Sequence, residues 1–273
     1  MTVASRKTIV LTGASGGIGR ALLDALRRDD VALYLVANDG ADALREELAG
    51  AKDYPSLAQA TVLRADLARP GAAATLSATL LDALRRDQNR ETPRVDALVY
   101  AAGIDLMTPK SKALDFDARL ERAWQVDMAS AATLARDIGD AMRAFRASHA
   151  APQDYDPSIL FFSWDGVERG MKGDTAQIYC ACKGAVAAFA RALAHSLAPY
   201  VRVNAIAPGW IRTTWGKSAS HETTEVAAAQ SLLERWGSPD EVARVVRFLL
   251  SKDAAFVNAQ TIAVNGGFSR RRF

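Results

Sequence analysis

Short runs of aliphatic and β-branched residues alternate along this chain with longer stretches whose apolar positions recur at helical spacing. Residues 8–11, 31–36, 60–64, 95–100, 159–162, 201–206 and 261–264 read as seven strands. Residues 18–28, 41–48, 72–86, 116–147, 176–197 and 239–250 read as helices between them. Strands this apolar are covered on both faces, and consecutive strands separated by a helix run parallel. The pattern predicts an α/β fold, a doubly wound seven-stranded parallel sheet with helices on both faces. No linker or internal repeat divides the 273 residues, so 1–273 are expected to form a single domain. Two segments break the alternation. Residues 148–157 form a polar loop, and residues 213–236 are long, polar and weakly helical, a candidate substrate lid.

Composition then excludes several classes. With 49% hydrophobic and 24% charged residues the chain is not disordered. Its net charge of +3 is spread along the sequence and makes no case for nucleic acid. The basic tail Arg270-Arg271-Arg272 reads as solvated. No apolar run reaches the ~18 residues of a membrane span, and residues 1–7 lack the apolar centre of a signal peptide. Cys180 and Cys182, two apart on a helix, point ~200° away from each other and do not pair readily. The expectation is a reduced, cytoplasmic protein.

The first strand runs into Thr12-Gly13-Ala14-Ser15-Gly16-Gly17-Ile18-Gly19 and then a helix. Gly13 permits a tight turn, Gly17 lets the backbone approach a pyrophosphate, and Gly19 lets the helix lie close to the sheet. The helix N-terminus offers N–H groups and a positive dipole end to phosphates. Further along stand Asp66-Leu67 after the third strand and Tyr100-Ala101-Ala102-Gly103 after the fourth. Then come Tyr179-Cys180-Ala181-Cys182-Lys183 on a helix, Asn204-Ala205-Ile206-Ala207-Pro208-Gly209 after the sixth strand, Gly237 to Ala243, and Val264-Asn265-Gly266-Gly267. In this order, over nearly the whole chain, they resemble the short-chain dehydrogenase/reductase family, and the C-terminal third is most similar to reductases of 3-oxoacyl thioesters. The resemblance implies a Rossmann fold, a nicotinamide dinucleotide and a small-molecule carbonyl or alcohol substrate. It places the cofactor on Gly13, Ser15, Gly17, Ile18, Gly19, Asn38, Asp66, Leu67, Ala101, Ala102, Gly103, Pro208, Gly209, Ile211 and Thr213, together with Tyr179 and Lys183. It also implies a homotetramer, with the helices from Phe116 and Ala176 packing against their copies; the small face of Ala185, Ala188 and Ala192 fits either close approach of such copies or burial within the monomer.

Tyr179 and Lys183 are i and i+4 on one helix and share a face. A free phenol titrates near ~10, and a nearby ammonium lowers that value. By resemblance Tyr179 exchanges a proton with the substrate oxygen, while Lys183 holds the ribose and tunes Tyr179. Two positions depart from the family. Counting back from Tyr179 by the family spacing lands on Gly166, whereas alignment from the strand end puts Trp164 at the usual serine. Ser163 then either donates to the substrate oxygen or satisfies a backbone group at the strand end. Asp127 stands where the family has an asparagine, and its carboxylate is a candidate partner for Lys183 and for the proton relay. Trp164, Trp210, Trp215 and Trp236 are candidates to line the substrate pocket or to fill core.

The end of the second strand carries Ala37 where an acidic residue would select NAD. Asn38 and Ser15 offer donors to a 2′-phosphate, so NADP leads, with NAD as the alternative if Asp39 takes the acidic role. Two functions stand: a carbonyl–alcohol oxidoreductase with Tyr179 as acid/base, or a dinucleotide-binding sensor or subunit with weak or no turnover.

Overall fold

The computed structural model describes residues 6–27, 30–51, 55–148, 151–152, 155–213, 216 and 219–268. Among these, seven strands form one parallel sheet in the order β3-β2-β1-β4-β5-β6-β7. They are β1 (Lys7–Thr12), β2 (Val31–Ala37), β3 (Thr61–Arg64), β4 (Ala97–Tyr100), β5 (Ser158–Phe162), β6 (Arg202–Pro208) and β7 (Thr261–Val264). The central strands are the most apolar because both their faces are covered. All four residues of β4 and all five of β5 are buried.

Two hydrophobic layers flank the sheet. On one face α1 (Gly17–Leu26), α2 (Ala41–Ala49) and α10 (Pro239–Leu249) pack through Leu22, Leu44 and Val246 against Leu11, Leu35 and Val99. On the other, α4 (Ala72–Gln88), α7 (Ser130–Ala147) and α8 (Asp174–Leu197) pack through Leu80, Leu134 and Val186 against Val10, Leu98 and Phe161. Each fully buried aliphatic side chain contributes about 1.5–3 kcal/mol of transfer free energy. Truncating one such as Leu98 to alanine costs about 2–5 kcal/mol. The shorter helices are α3 (Pro55–Ala58), α5 (Pro109–Lys112), α6 (Phe116–Ala123) and α9 (His221–Ala229).

The structure changes three expectations. The stretch 116–147 is not one α-helix: a π-helical turn at Trp124–Ala129 separates α6 from α7. The Tyr100 hydroxyl donates to the Val126 carbonyl in that turn at 2.6 Å. Helix α8 begins at Asp174, two residues earlier than its apolar pattern suggests. Within 213–236 the ordered element is α9, capped by Ser220, whose hydroxyl accepts from the Thr223 N–H at 3.2 Å. Arg28, Trp215 and the tail Arg270-Arg271-Arg272 lie outside the described residues. The described helices include none long and apolar enough to cross a membrane.

Candidate active site

The strand order reverses between β1 and β4, and in open α/β sheets ligands bind at the carboxyl ends of such a switch point. The Gly-rich turn sits there. Gly13 has φ +70°, and a Cβ on it would lie 2.6 Å from the Ala101 carbonyl oxygen. The Thr12 hydroxyl accepts from the Ala102 N–H at 3.1 Å. The turn and the Ala101-Ala102-Gly103 segment are thus locked together by the small size of both. A Cβ on Gly19 would collide with the Gly13 carbonyl, so α1 can leave the sheet this closely only with glycine there.

Helix α1 starts at Gly17 with Gly16 as its cap, no side chain on its first N–H groups and no acidic residue in its first turn. A Cβ on Gly17 would lie 2.9 Å from the Thr213 Cβ, which brings two predicted phosphate-site residues face to face. A glycine cradle under an uncapped helix N-terminus fits a pyrophosphate. At the adenosine end Ala37 closes β2 and is buried, while Asn38 and Asp39 are exposed. Ser15 packs where a side chain on Gly40 would go, 2.7 Å from its Cβ position. Asp66 accepts from the Ala68 N–H at 3.2 Å and pairs with Arg69 at 3.3 Å. Leu67 is buried, its carbonyl accepting from Ser130 at 2.9 Å. Pro208 ends β6, and the Gly209 N–H donates to the Val264 carbonyl at 3.1 Å. Ile211 is buried against Gly237.

Lys183 and Asp127 meet beside Gly103, and the Tyr179 hydroxyl reaches the next residue, Ile104. The Lys183 ammonium is 3.0 Å from Asp127 Oδ1, with the two side chains 12% and 0% exposed. Oδ2 of Asp127 is buried without a partner. Burial pushes the Asp127 carboxyl up, against the lowering pull of Lys183 and of the nearby Ile104 backbone. The Tyr179 hydroxyl donates to the Ile104 carbonyl at 3.0 Å. Its phenol lies above the ordinary value, first because it is buried and then because Asp127 repels the phenolate. This direction is opposite to the lowering expected from Lys183, because burial and then the Asp127 carboxylate dominate.

The hydroxyl of Ser163 donates to the main-chain carbonyl of Lys183 at 2.9 Å. Its acceptor is a main-chain carbonyl of α8, a backbone group as in one of its two expected roles but on the helix rather than at the strand end. Trp164 instead stands against Tyr179, ring centroids 6.0 Å apart. Trp164 and Trp210 line a small cavity of about 90 Å³ with Asp165, Arg169, Gln230 and Phe268. Trp236 is buried, stacks 5.5 Å from Trp210 and donates from Nε1 to the Thr224 carbonyl at 3.0 Å. It therefore packs the 213–236 segment onto the body of the protein.

Three contributors escaped the sequence reading: Ile104, whose carbonyl holds the phenol; Tyr100, which holds the π turn; and Arg119 on α6, buried near Tyr179. For Arg119 the available signal was its place four residues before the buried Ala123 on one helical stripe.

A family model described as "Enoyl-(Acyl carrier protein) reductase" matches residues 13–269. The chain is 28% identical over 274 residues to a 3-oxoacyl-[acyl-carrier-protein] reductase of Thermotoga maritima, covering 96% of this chain and 97% of that protein. It is similar to a short-chain dehydrogenase/reductase, glucose/ribitol dehydrogenase, from Brucella melitensis, at TM-score 0.76 and 30% identity over 99% of this chain and 100% of that one. A putative NAD(P)-dependent gluconate 5-dehydrogenase from Beutenbergia cavernae, solved with NADP, matches at TM-score 0.76 and 28% identity over 97% of each chain.

Proposed function

Since the chain belongs to the short-chain dehydrogenase/reductase family, we propose that it interconverts a carbonyl and a secondary alcohol, with NADP preferred and Tyr179 as the acid/base. The observation that carries the reading is the Lys183–Asp127 pair beside Gly103, with the Tyr179 hydroxyl on the adjoining Ile104 carbonyl, at the carboxyl ends of β1 and β4 near the Gly13–Ala101 contact. A bound nicotinamide supplies or accepts the hydride at the substrate carbon. Tyr179 gives its phenolic proton to the carbonyl oxygen in reduction and takes it back in oxidation. To give that proton the hydroxyl turns from the Ile104 carbonyl to the substrate oxygen, which replaces it as acceptor before the transfer. Lys183 and Asp127 set the charge around the phenol. Gly13, Gly17, Gly19 and Thr213 hold the pyrophosphate, and Asp66 and Leu67 bound the adenine.

The cofactor preference rests on Ala37, which leaves no carboxylate at the end of β2 to repel a 2′-phosphate. A 3-oxoacyl thioester is the leading substrate class, by likeness to the Thermotoga maritima reductase. The engaged Ser163 hydroxyl favours a second reading, a dinucleotide-binding sensor with weak turnover. The deciding experiment is oxidation of NADPH and NADH by purified protein over aldehydes, ketones and 3-oxoacyl thioesters. Turnover with NADPH supports the enzyme. Nucleotide binding without turnover on any compound supports the sensor.

A further inference from the structure

Arg119 is 8% exposed, and a guanidinium that deeply buried is normally paired with a carboxylate. Among the described residues no carboxylate pairs with it. Its Nη2 donates to the Thr175 hydroxyl, and its Nε is buried without a partner. Burial of an uncompensated cation is costly, so its field acts on whatever stands nearest. Thr175 and Tyr179 are i and i+4 on α8 and share one face. The hydrogen bond to Thr175 therefore anchors the guanidinium on the face of α8 that carries Tyr179. The other cation of the site, Lys183, has its charge taken up by Asp127 at 3.0 Å.

We propose that Arg119 is a positioning residue of this reaction, whose charge favours the ionised form of Tyr179 in a site where Lys183 is held by Asp127. The inference rests on Tyr179 being the acid/base. The groups around the phenol support it. Burial, then Asp127 from the π turn and Asp105 from the loop after β4 oppose ionisation; the Leu106 backbone and, to a smaller extent, Arg119 from α6 favour it. On α8 itself Lys183 is paired, and the Cys182 thiol, pushed up to about 11 by burial, stays neutral. Trp164, from the loop after β5, carries no charge.

The test reads the phenol directly and needs neither substrate nor turnover. A fluorinated tyrosine placed at position 179 brings the titration into a range where the protein stays folded, and fluorine NMR follows it. Arg119→Gln should raise the midpoint, by less than the roughly one pH unit that an opposite charge in direct contact is worth. Arg119→Lys should stay close to the parent. Thr175→Val, which releases the guanidinium without removing it, should raise the midpoint by less, and it carries the test if Arg119→Gln does not fold. A midpoint that ignores both Arg119→Gln and Thr175→Val overturns the proposal, as does an equal rise in Arg119→Lys. Failure of the functional reading is seen separately, as turnover that survives Tyr179→Phe.

Discussion

The rings of Trp164 and Tyr179 lie 6.0 Å apart, tilted by 54°, so an aromatic edge occupies the place beside the phenol where a hydroxyl was sought. The hydroxyl one residue earlier, on Ser163, is spent on the Lys183 carbonyl. On the proposed reading the Tyr179 phenol is then the side-chain proton donor to the substrate oxygen, and turnover should depend on it strongly.

Tyr179→Phe removes that donor and keeps the ring. Turnover should fall by roughly 100- to 10,000-fold, with nucleotide affinity unchanged. Ser163→Ala should lower turnover far less and cost about 1 kcal/mol of stability for the lost hydrogen bond. Steady-state kinetics and chemical denaturation of both variants check this. A Ser163→Ala loss as large as that of Tyr179→Phe would restore the serine to the chemistry.

Gly17→Val drives a branched side chain against Thr213, whose Cβ is 2.9 Å from the position of the first added atom. Binding of NADPH, followed by fluorescence, should be lost while the circular dichroism spectrum is kept. Gly13 is a poorer probe of the same site, because its φ of +70° and the Ala101 backbone make any side chain there a folding defect.

Asp127→Asn removes the charge that, after burial, does most to hold the Tyr179 phenol up. Loss of that charge lowers the phenol, so the basic limb of the pH–rate profile should move to lower pH with maximal turnover equal or higher. Stability should fall, by about 3 kcal/mol, because a largely buried ammonium loses its counter-charge. A variant slower at every pH contradicts the first part.

Ser238→Ala breaks the capping box of α10, where the Ser238 hydroxyl accepts from the Glu241 N–H and Glu241 accepts from the Ser238 N–H at 2.8 Å. The expected loss is about 1 kcal/mol. The Arg235 guanidinium, and then the Ser238 N–H, hold the Glu241 carboxyl down at about 2. A lowered folded value means that this carboxylate stabilises the fold above its unfolded value near ~4.3 and loses that effect as pH falls toward 2. The melting-temperature gap between wild type and Glu241→Gln should be small, because the pair is exposed to solvent, and should close on acidification.

Ala188 and Ala192 are exposed on α8 and Ala185 is half-buried, so the alanine face predicted to meet another copy is not consumed within the protomer. Sedimentation at micromolar concentration should give a homotetramer, and Ala188→Glu with Ala192→Glu should dissociate it.

The sheet was legible because its central strands are continuous apolar runs, a pattern that burial on both faces enforces. The π turn was not: one inserted residue leaves the apolar stripe of 116–147 nearly in phase, and its cause, the Tyr100 hydroxyl on the Val126 carbonyl, is a contact between distant segments. Glycine spacing announced the phosphate turn, since backbone clearance depends on residue type alone. Lys183 and Asp127 were legible as a pair, yet the effect of their pairing on Tyr179 was not, because its sign depends on burial. For Arg119 the helical stripe it shares with Ala123 hinted at burial, but not at what its charge would face. A charge on a helix reads as solvated until the neighbours that cover it are known.

Ile104 offers its carbonyl to the Tyr179 hydroxyl, and its backbone lies close enough to Asp127 to help hold that carboxyl down. The two peptide units flanking Ile104 thus touch both the phenol and the carboxylate that, after burial, most opposes its ionisation. Where the Gly103–Leu106 segment rests and how acidic the phenol is become a single variable. Two substrates of equal affinity that press differently on this segment would react at different rates, and selectivity among them would be expressed in kcat with KM unaltered.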